Sequence, residues 1–333
     1  MRRTRMRSKV WLSIALAVGL LAAACGDDDD DDAGTDTGTE TDEAAGGDGE
    51  ELSGTILIDG SSTVAPLSEA AAELFQEENP GVTVDVATSG TGGGFERFCT
   101  GETDISDASR PIADDEIEAC ESEGVEYEQV TVANDALSVL VNPENPVECL
   151  SVEQLNQIWA PDSSVGSWSE IEGLEPAFDE TLDLYGPGTD SGTFDYFTDA
   201  VNGEEGAQRT DYNNIGEDDN QGIVGLEGST GGMFYVGFSY FVENQDRAKA
   251  LQIDGGEGCI EPAIETVQDG SYQPLGRGLF IYPSAEALQR PEVQAFVDFY
   301  IQNQAQITEA AGYIPMTDEQ EQEALDQVES LMG

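Results

Sequence analysis

Apolar and polar positions alternate along this chain with two periods that take turns. Thr55 to Asp59 is a short β-branched run that ends in a turn. From Val64 to Glu78 the spacing is helical, with Leu67, Ala71, Leu74 and Phe75 sharing one face. Asn79-Pro80-Gly81 stops that helix. Val82 to Ala87 alternates as a strand, Ser89 to Gly94 is a glycine-rich loop, and Phe95 opens another helix. Asp104 to Ser106 is a short strand, Val130 to Val141 reads as one or two strands, and Val152 to Trp159 as a helix. Leu182 to Tyr185 predicts a strand, followed by a loop over Gly186 to Gly192 and a helix from about Thr193 to Val201. Met233 to Phe241 and Leu279 to Tyr282 read as buried strands, Pro291 to Ala310 as one long amphipathic helix and Asp318 to Leu331 as a last one. Strands alternating with helices predict an α/β architecture with helices on both faces of the sheet.

Three of the strand-to-helix junctions share one chemistry. They are Gly60-Ser61-Ser62-Thr63, Ser89-Gly90-Thr91-Gly92-Gly93-Gly94 and Thr189-Asp190-Ser191-Gly192-Thr193. Serine and threonine cap helix N-termini, and glycine lets backbone approach closely. The first N–H groups of a helix have no partner within it and point outward at a positive dipole end. One such loop is ordinary capping. Three of them, converging on one cleft, would surround a small oxyanion with N–H and O–H donors and need few charged side chains.

Composition changes this picture chiefly at the N-terminus. Arg2, Arg3, Arg5, Arg7 and Lys9 precede an apolar run from Val10 to Leu21. The run is shorter than the roughly 20 residues a membrane span takes. With Ala22, Ala23 and Ala24 before Cys25, it reads as a signal peptide over residues 1–24. The cysteine at its end resembles a bacterial lipobox, which implies lipidation of Cys25, although Leu21 stands one place earlier than that motif usually has it. The residues from 25 to 51 include six consecutive acids, Asp27 to Asp32, and are expected to form a disordered tether. The chain is thus expected outside the cytoplasm, held to the cell membrane by lipid.

The chain has 69 acidic and 12 basic residues and a net charge of −57. Five basic residues fall in the first nine, leaving Arg97, Arg110, Arg209, Arg247, Lys249, Arg277 and Arg290. Nucleic acid is excluded as a partner, because its phosphates are held by clusters of Lys and Arg. The chain has no histidine, which removes Ser–His–Asp and Cys–His catalysis and histidine metal sites. No enzymatic activity, cofactor or metal is expected. Besides Cys25 there are four cysteines, and an even number in an exported chain predicts disulfides. Of the three connectivities, Cys99–Cys120 is favoured because the helices carrying them are joined by a short segment; Cys149–Cys259 follows by elimination. No CxxC pair supports a zinc site.

The stretches GSSTVAPL (60–67), SGTGGGFERF (89–98), DISDASRPI (104–112), GPGTDSGTFDYF (186–197) and RTDYNNIGEDDNQGIVG (209–225) resemble the phosphate-binding proteins of phosphate ABC transporters. The likeness spans about residues 54–315. It implies a type II periplasmic-binding-protein fold, with two lobes joined by two crossover segments and the ligand cleft between them. On that reading residues 54–136 and 255–333 form one lobe and 137–254 the other. The resemblance also implies that Ser62, Thr63, Ser89, Ser191, Gly192 and Thr193 donate to inorganic phosphate. The further partners it implies are the permease subunits of a transporter, and the protein is expected to be a monomer.

Two departures from the family pattern bear on the site. Many members carry an acid in the third loop that accepts a proton from the bound phosphate; this chain has Arg110. Many place an arginine four residues before the SGT serine; here that position is Pro187. Arg110 is therefore expected to point into the cleft and neutralise the anion. Asp190 is expected to accept the phosphate proton or to orient Arg110, and Arg209 is a second-lobe candidate for the missing arginine. Arg277 reads as structural. Two other readings are kept: a binder of another tetrahedral oxyanion, and a secreted phosphatase with Ser191 as nucleophile.

Overall fold

The computed structural model describes residues 51–333. The expected signal peptide and all but the last residue of the expected tether, Cys25 included, lie outside the described residues.

The chain enters through β1 (Gly54–Gly60), turns at Ser61–Thr63 and climbs α1 (Ala65–Glu78). Strand β2 (Val82–Ala87), α2 (Thr91–Phe98), β3 (Ile105–Ala108) and α3 (Asp114–Glu123) repeat the alternation. β1 pairs in parallel with both β2 and β3. Parallel neighbours need a crossover, which α1 and α2 provide. β4 (Val130–Val141) is a single strand of 12 residues. Its first half lies antiparallel to β12 (Gly276–Pro283), and its second half, Leu137–Val141, lies antiparallel to β8 (Gly232–Gly237).

The rest of the second half comprises β5 (Cys149–Ser151), α4 (Val152–Trp159), β6 (Asp183–Gly186), α5 (Gly192–Asn202), β7 (Asn213–Asn214) and α6 (Asp219–Gly228). After β8 come α7 (Phe238–Glu243), β9 (Lys249–Ala250), β10 (Gln252–Asp254), β11 (Cys259–Ile260) and α8 (Ile264–Gln268). The chain ends on α9 (Pro291–Gln302), α10 (Gln304–Ala311) and α11 (Asp318–Met332). The main sheet runs β2-β1-β3-β12-β4-β8-β6-β7 with β9 beside β4, and β11-β10-β5 form a small second sheet.

Two large apolar cores fill the two lobes. The first gathers Leu67, Phe75, Phe296 and Tyr300 from α1 and α9 beneath β1 and β4. The second centres on Trp159, Trp168, Phe197 and Tyr235, with the Phe197 and Tyr235 rings stacked 3.8 Å apart. Val267, Tyr272 and Leu275 belong to this second core. The expected disulfide pairs are present, Cys99–Cys120 with Cα atoms 4.3 Å apart and Cys149–Cys259 at 6.0 Å.

Other differences from the pattern reading have local causes. The strand expected over Met233 to Phe241 stops at Gly237, and Phe238 starts α7. The long C-terminal helix is two helices, broken at Asn303. Helix α6 escaped detection because Gly222 and Gly225 interrupt its pattern. There glycine serves packing: a Cβ at Gly222 would lie 2.5 Å from the Phe234 ring, and one at Gly225 would lie 2.4 Å from the Tyr185 ring.

Candidate anion-binding site

The three glycine- and hydroxyl-rich junctions meet where the lobes face each other. In the first, Ser61 N–H donates to the Asp107 carbonyl (2.9 Å), and the Ser61 carbonyl accepts from Ala65 N–H (3.0 Å), closing the turn into α1. Ser62 is left exposed, and Thr63 is half-buried. In the second, Gly90 caps α2 with φ +82°, a left-handed value that glycine adopts without strain. Its N–H donates to the Gly60 carbonyl (2.9 Å), and the Ser89 N–H donates to the Asp59 carboxylate (2.9 Å). In the third, Ser191 caps α5, its hydroxyl oxygen accepting from Thr193 N–H (3.3 Å). The first and third loops touch: a Cβ on Gly192 would sit 3.3 Å from Thr63 Oγ1.

Two connected spaces result. An inner cavity of about 250 Å³ is bounded by Ser62, Thr63, Asp135, Ser191, Gly192 and Thr193 on its polar side. An outer chamber of about 780 Å³ shares Ser62, Thr63 and Gly192 with it and extends past Ser89, Arg110 and Arg277. Tyr313 also walls the inner cavity, its hydroxyl donating to the Thr63 carbonyl (2.8 Å).

Arg277 ties the cleft together. Its Nε and Nη2 both donate to Asp135 Oδ2 at 3.2 Å, Nη1 donates to the Ser109 carbonyl (3.3 Å), and Nη2 reaches Thr63 Oγ1 (3.3 Å). The guanidinium lies 3.5 Å from the centre of the Tyr196 ring, which α5 presents from the second lobe. β12 and β4 place Arg277 directly opposite Asp135 in register. Sequence reasoning missed both residues as site members. A signal was present: Asn134 and Asp135 interrupt an otherwise buried apolar strand, and a buried charge is kept only where a partner meets it.

The other expected charges have other partners. Arg110 turns its fork onto Glu116, Nη1 and Nη2 each 2.8 Å from a carboxylate oxygen, and Glu116 also accepts from Ala113 N–H (2.8 Å). Those bonds to Glu116 push the Arg110 pKa up. Arg110 lines the outer chamber, not the inner cavity. Arg209 is buried, paired with Asp211 at 2.7 and 2.8 Å, and donates to the Ile158 and Val165 carbonyls. It lines neither space, and neither does the exposed Asp190. Among the described residues all seven basic side chains are ion-paired with acids. Of these pairs, Arg277–Asp135 is the one whose acid walls the inner cavity.

Comparison with known proteins agrees with this architecture. The model of the PBP superfamily domain matches residues 39–304. The chain is 42% identical over 264 residues to Protein SphX of Synechococcus elongatus, covering 78% of this chain and 77% of that one. It is 32% identical over 322 residues to the phosphate-binding protein PstS of Staphylococcus saprophyticus, covering 96% and 93%. The crystal structure of a possible phosphate binding protein from Planctomyces limnophilus superposes with a TM-score of 0.79 at 42% identity, over 85% of this chain and all of that one. PstS from Borrelia burgdorferi, at 20% identity, shares the fold with a TM-score of 0.64, over 79% of this chain and 99% of that one. The chain is a two-lobed α/β protein of the PBP superfamily. Within that class it belongs to the phosphate-binding protein family of PstS and SphX.

Proposed function

We propose that this protein captures inorganic phosphate in its interlobe cleft, outside the cytoplasmic membrane, and delivers it to the permease subunits of an ABC transporter. The observation that carries the reading is the meeting of two hydroxyl-rich helix starts at one cavity of about 250 Å³, with the third opening onto the chamber that shares Ser62, Thr63 and Gly192 with it. Helix N-termini and hydroxyls offer donors without net charge, which suits a chain of −57. Local donors at ~3 Å outweigh distant surface acids that salt screens. Ser62, Thr63, Ser191, Gly192 and Thr193 hold the anion from the inner wall, and Ser89 completes the ring from the outer chamber. Arg277, in place of Arg110 or Arg209, supplies positive charge, because its Nη2 reaches Thr63 Oγ1 and its partner Asp135 walls the inner cavity. One lobe comprises residues up to about 135 together with the chain from about 276, and the other comprises what lies between. Lipid on Cys25 holds the domain near its transporter, and the protein acts as a monomer and is not an enzyme.

Titration calorimetry of the purified protein with phosphate, sulfate and arsenate tests the reading. Tight phosphate binding and poor sulfate binding are expected; equal affinity for sulfate would remove the phosphate assignment. In the same titration Arg277→Ala is expected to weaken phosphate binding at least about tenfold, about 1.4 kcal/mol. Arg110→Ala is expected to leave it within about threefold, since only a half-exposed ion pair with Glu116 is lost.

A further inference from the structure

We infer that Tyr313 is the positioning residue of the first loop: its hydroxyl fixes the Thr63 peptide and thereby aims the Thr63 hydroxyl into the inner cavity. The inference rests on reading that cavity as the phosphate site. Thr63 N–H donates to Ser61 Oγ (3.2 Å), and Thr63 Oγ1 accepts from Arg277 Nη2 (3.3 Å). The Thr63 carbonyl stands just before α1, where the helical ladder passes it by. Ala65 N–H goes to the Ser61 carbonyl, Leu67 and Ser68 N–H both go to the Val64 carbonyl, and Pro66 has no N–H to offer. Tyr313 Oη fills that place, donating at 2.8 Å from 250 residues further along the chain. With these three contacts made, the hydroxyl hydrogen is the one polar group of Thr63 left for a ligand.

Tyr313 is itself held from both sides in the sequence. Gly312 ends α10 with φ +77°, and Tyr313 N–H donates back to the Thr308 carbonyl (2.9 Å). The next residue, Ile314, exchanges two backbone bonds with Asn134 at 2.8 and 2.9 Å. The Asn134 amide donates to the Pro315 carbonyl (3.1 Å) and exchanges two further bonds with the Gln320 amide, both 3.2 Å. Asn134 precedes Asp135, the partner of Arg277. One segment between α10 and α11 thus fixes both the carbonyl of Thr63 and the strand that holds the arginine on its hydroxyl. Tyr313 also walls the cavity, but its hydroxyl hydrogen is committed to Thr63, so it acts on the anion through the loop. Burial, with Asp135 adding to it, pushes the Tyr313 pKa up, which keeps the hydroxyl a donor. Without that donor the Thr63 carbonyl would turn toward water, and a rotated peptide carries its side chain with it.

The test is a double-mutant cycle on the full protein, read by titration calorimetry with phosphate. Tyr313→Phe keeps the ring and removes one hydroxyl; it is expected to weaken binding about three- to tenfold. In a Thr63→Val background, where the hydroxyl that Tyr313 aims is gone, the same change should cost no more than about twofold. Tyr235→Phe, which loses a buried hydroxyl bond to Gln208 (3.0 Å) in the second core, should bind like the parent. A crystal structure of Tyr313→Phe should show the Thr63 carbonyl turned from its direction in the parent, and it decides the matter where Thr63→Val binds too weakly to titrate. Equal costs in the two backgrounds, or an unmoved Thr63 peptide beside weakened binding, would make Tyr313 a direct ligand and overturn the positioning role. Unchanged affinity in Tyr313→Phe overturns it as well. Each of these outcomes leaves the phosphate reading standing, whereas a parent that binds no phosphate overturns both.

Discussion

Asp107 closes β3 behind the first loop, fully buried, with Oδ1 accepting from the Ser68 hydroxyl (2.9 Å) and Oδ2 without a partner. Burial raises its pKa from the usual 3.8 to about 8; the Ser68 bond opposes that and nearby Asp59 adds to it. The group is therefore neutral in the folded protein at pH 7 and ionised in the unfolded chain. Between 3.8 and about 8 the unfolded state binds fewer protons, so this group erodes stability as pH rises through that window. Asp107→Asn removes the titration and keeps the shape. Urea unfolding at pH 5 and pH 8 should show its stability, relative to the parent, rising by at least about 2 kcal/mol, at 1.36 kcal/mol per pKa unit. A constant difference would place Asp107 ionised in the fold. At this scale the hydroxyl- and glycine-rich turns were legible, since serine, threonine and glycine act through backbone that they themselves shape. The charges were not. Arg110 was expected at the anion but meets Glu116, six residues on, and Arg277 meets Asp135 across 142 residues of sequence.

At the scale of elements, the second junction illustrates what a pattern conceals. Ser89 to Gly94 reads as a loop, yet α2 starts at Thr91 and takes in Gly92, Gly93 and Gly94, three of the loop's four glycines. The role of Gly93 and Gly94 is proximity. A Cβ on Gly94 would lie 2.5 Å from Gly60 Cα and 2.9 Å from Ser106 Oγ, and one on Gly93 would lie 2.8 Å from Ser89 Oγ. The helix start is thereby pressed against the end of β1, which sets Ser89 beside the first loop. Gly94→Ala should force the two apart and destabilise the protein by about 1–3 kcal/mol, the usual cost of overpacking. Thermal unfolding should show this, with weakened phosphate binding beside it. Gly166→Ala, where a Cβ meets nothing within 4 Å, is the matched control. Equal melting temperatures for the two variants would show that the approach is not tight.

For the whole molecule, a net charge of −57 and two disulfides set the terms. The seven basic side chains of the folded region are each paired with an acid, so the proposed anion capture draws on helix dipoles and the Arg277–Asp135 pair. Cys149–Cys259 spans 110 residues against 21 for Cys99–Cys120. Loop-closure entropy alone makes the longer loop worth about 1.5 kcal/mol more. No helix among the described residues is long and apolar enough to cross a membrane, so the proposed attachment depends on the N-terminus. Cys25→Ser should move the protein from the membrane pellet to the soluble fraction on ultracentrifugation; unchanged pelleting would count against lipid at Cys25.

The α/β class, the three Ser-, Thr- and Gly-rich junctions and the Cys99–Cys120 pair are local properties, written in periodicity, in residue types at helix starts, and in short spacings. They could be read from the chain because neighbours in sequence decide them. The tertiary structure decided which core takes up Val267, Tyr272 and Leu275, which glycines make room for a ring or a strand, and above all which acid each arginine meets. Those outcomes depend on partners brought together by β4 and β12, strands that run side by side at the junction of the lobes and lie more than a hundred residues apart in the chain. Electrostatic pairing follows distance in space, and sequence alone does not record that distance.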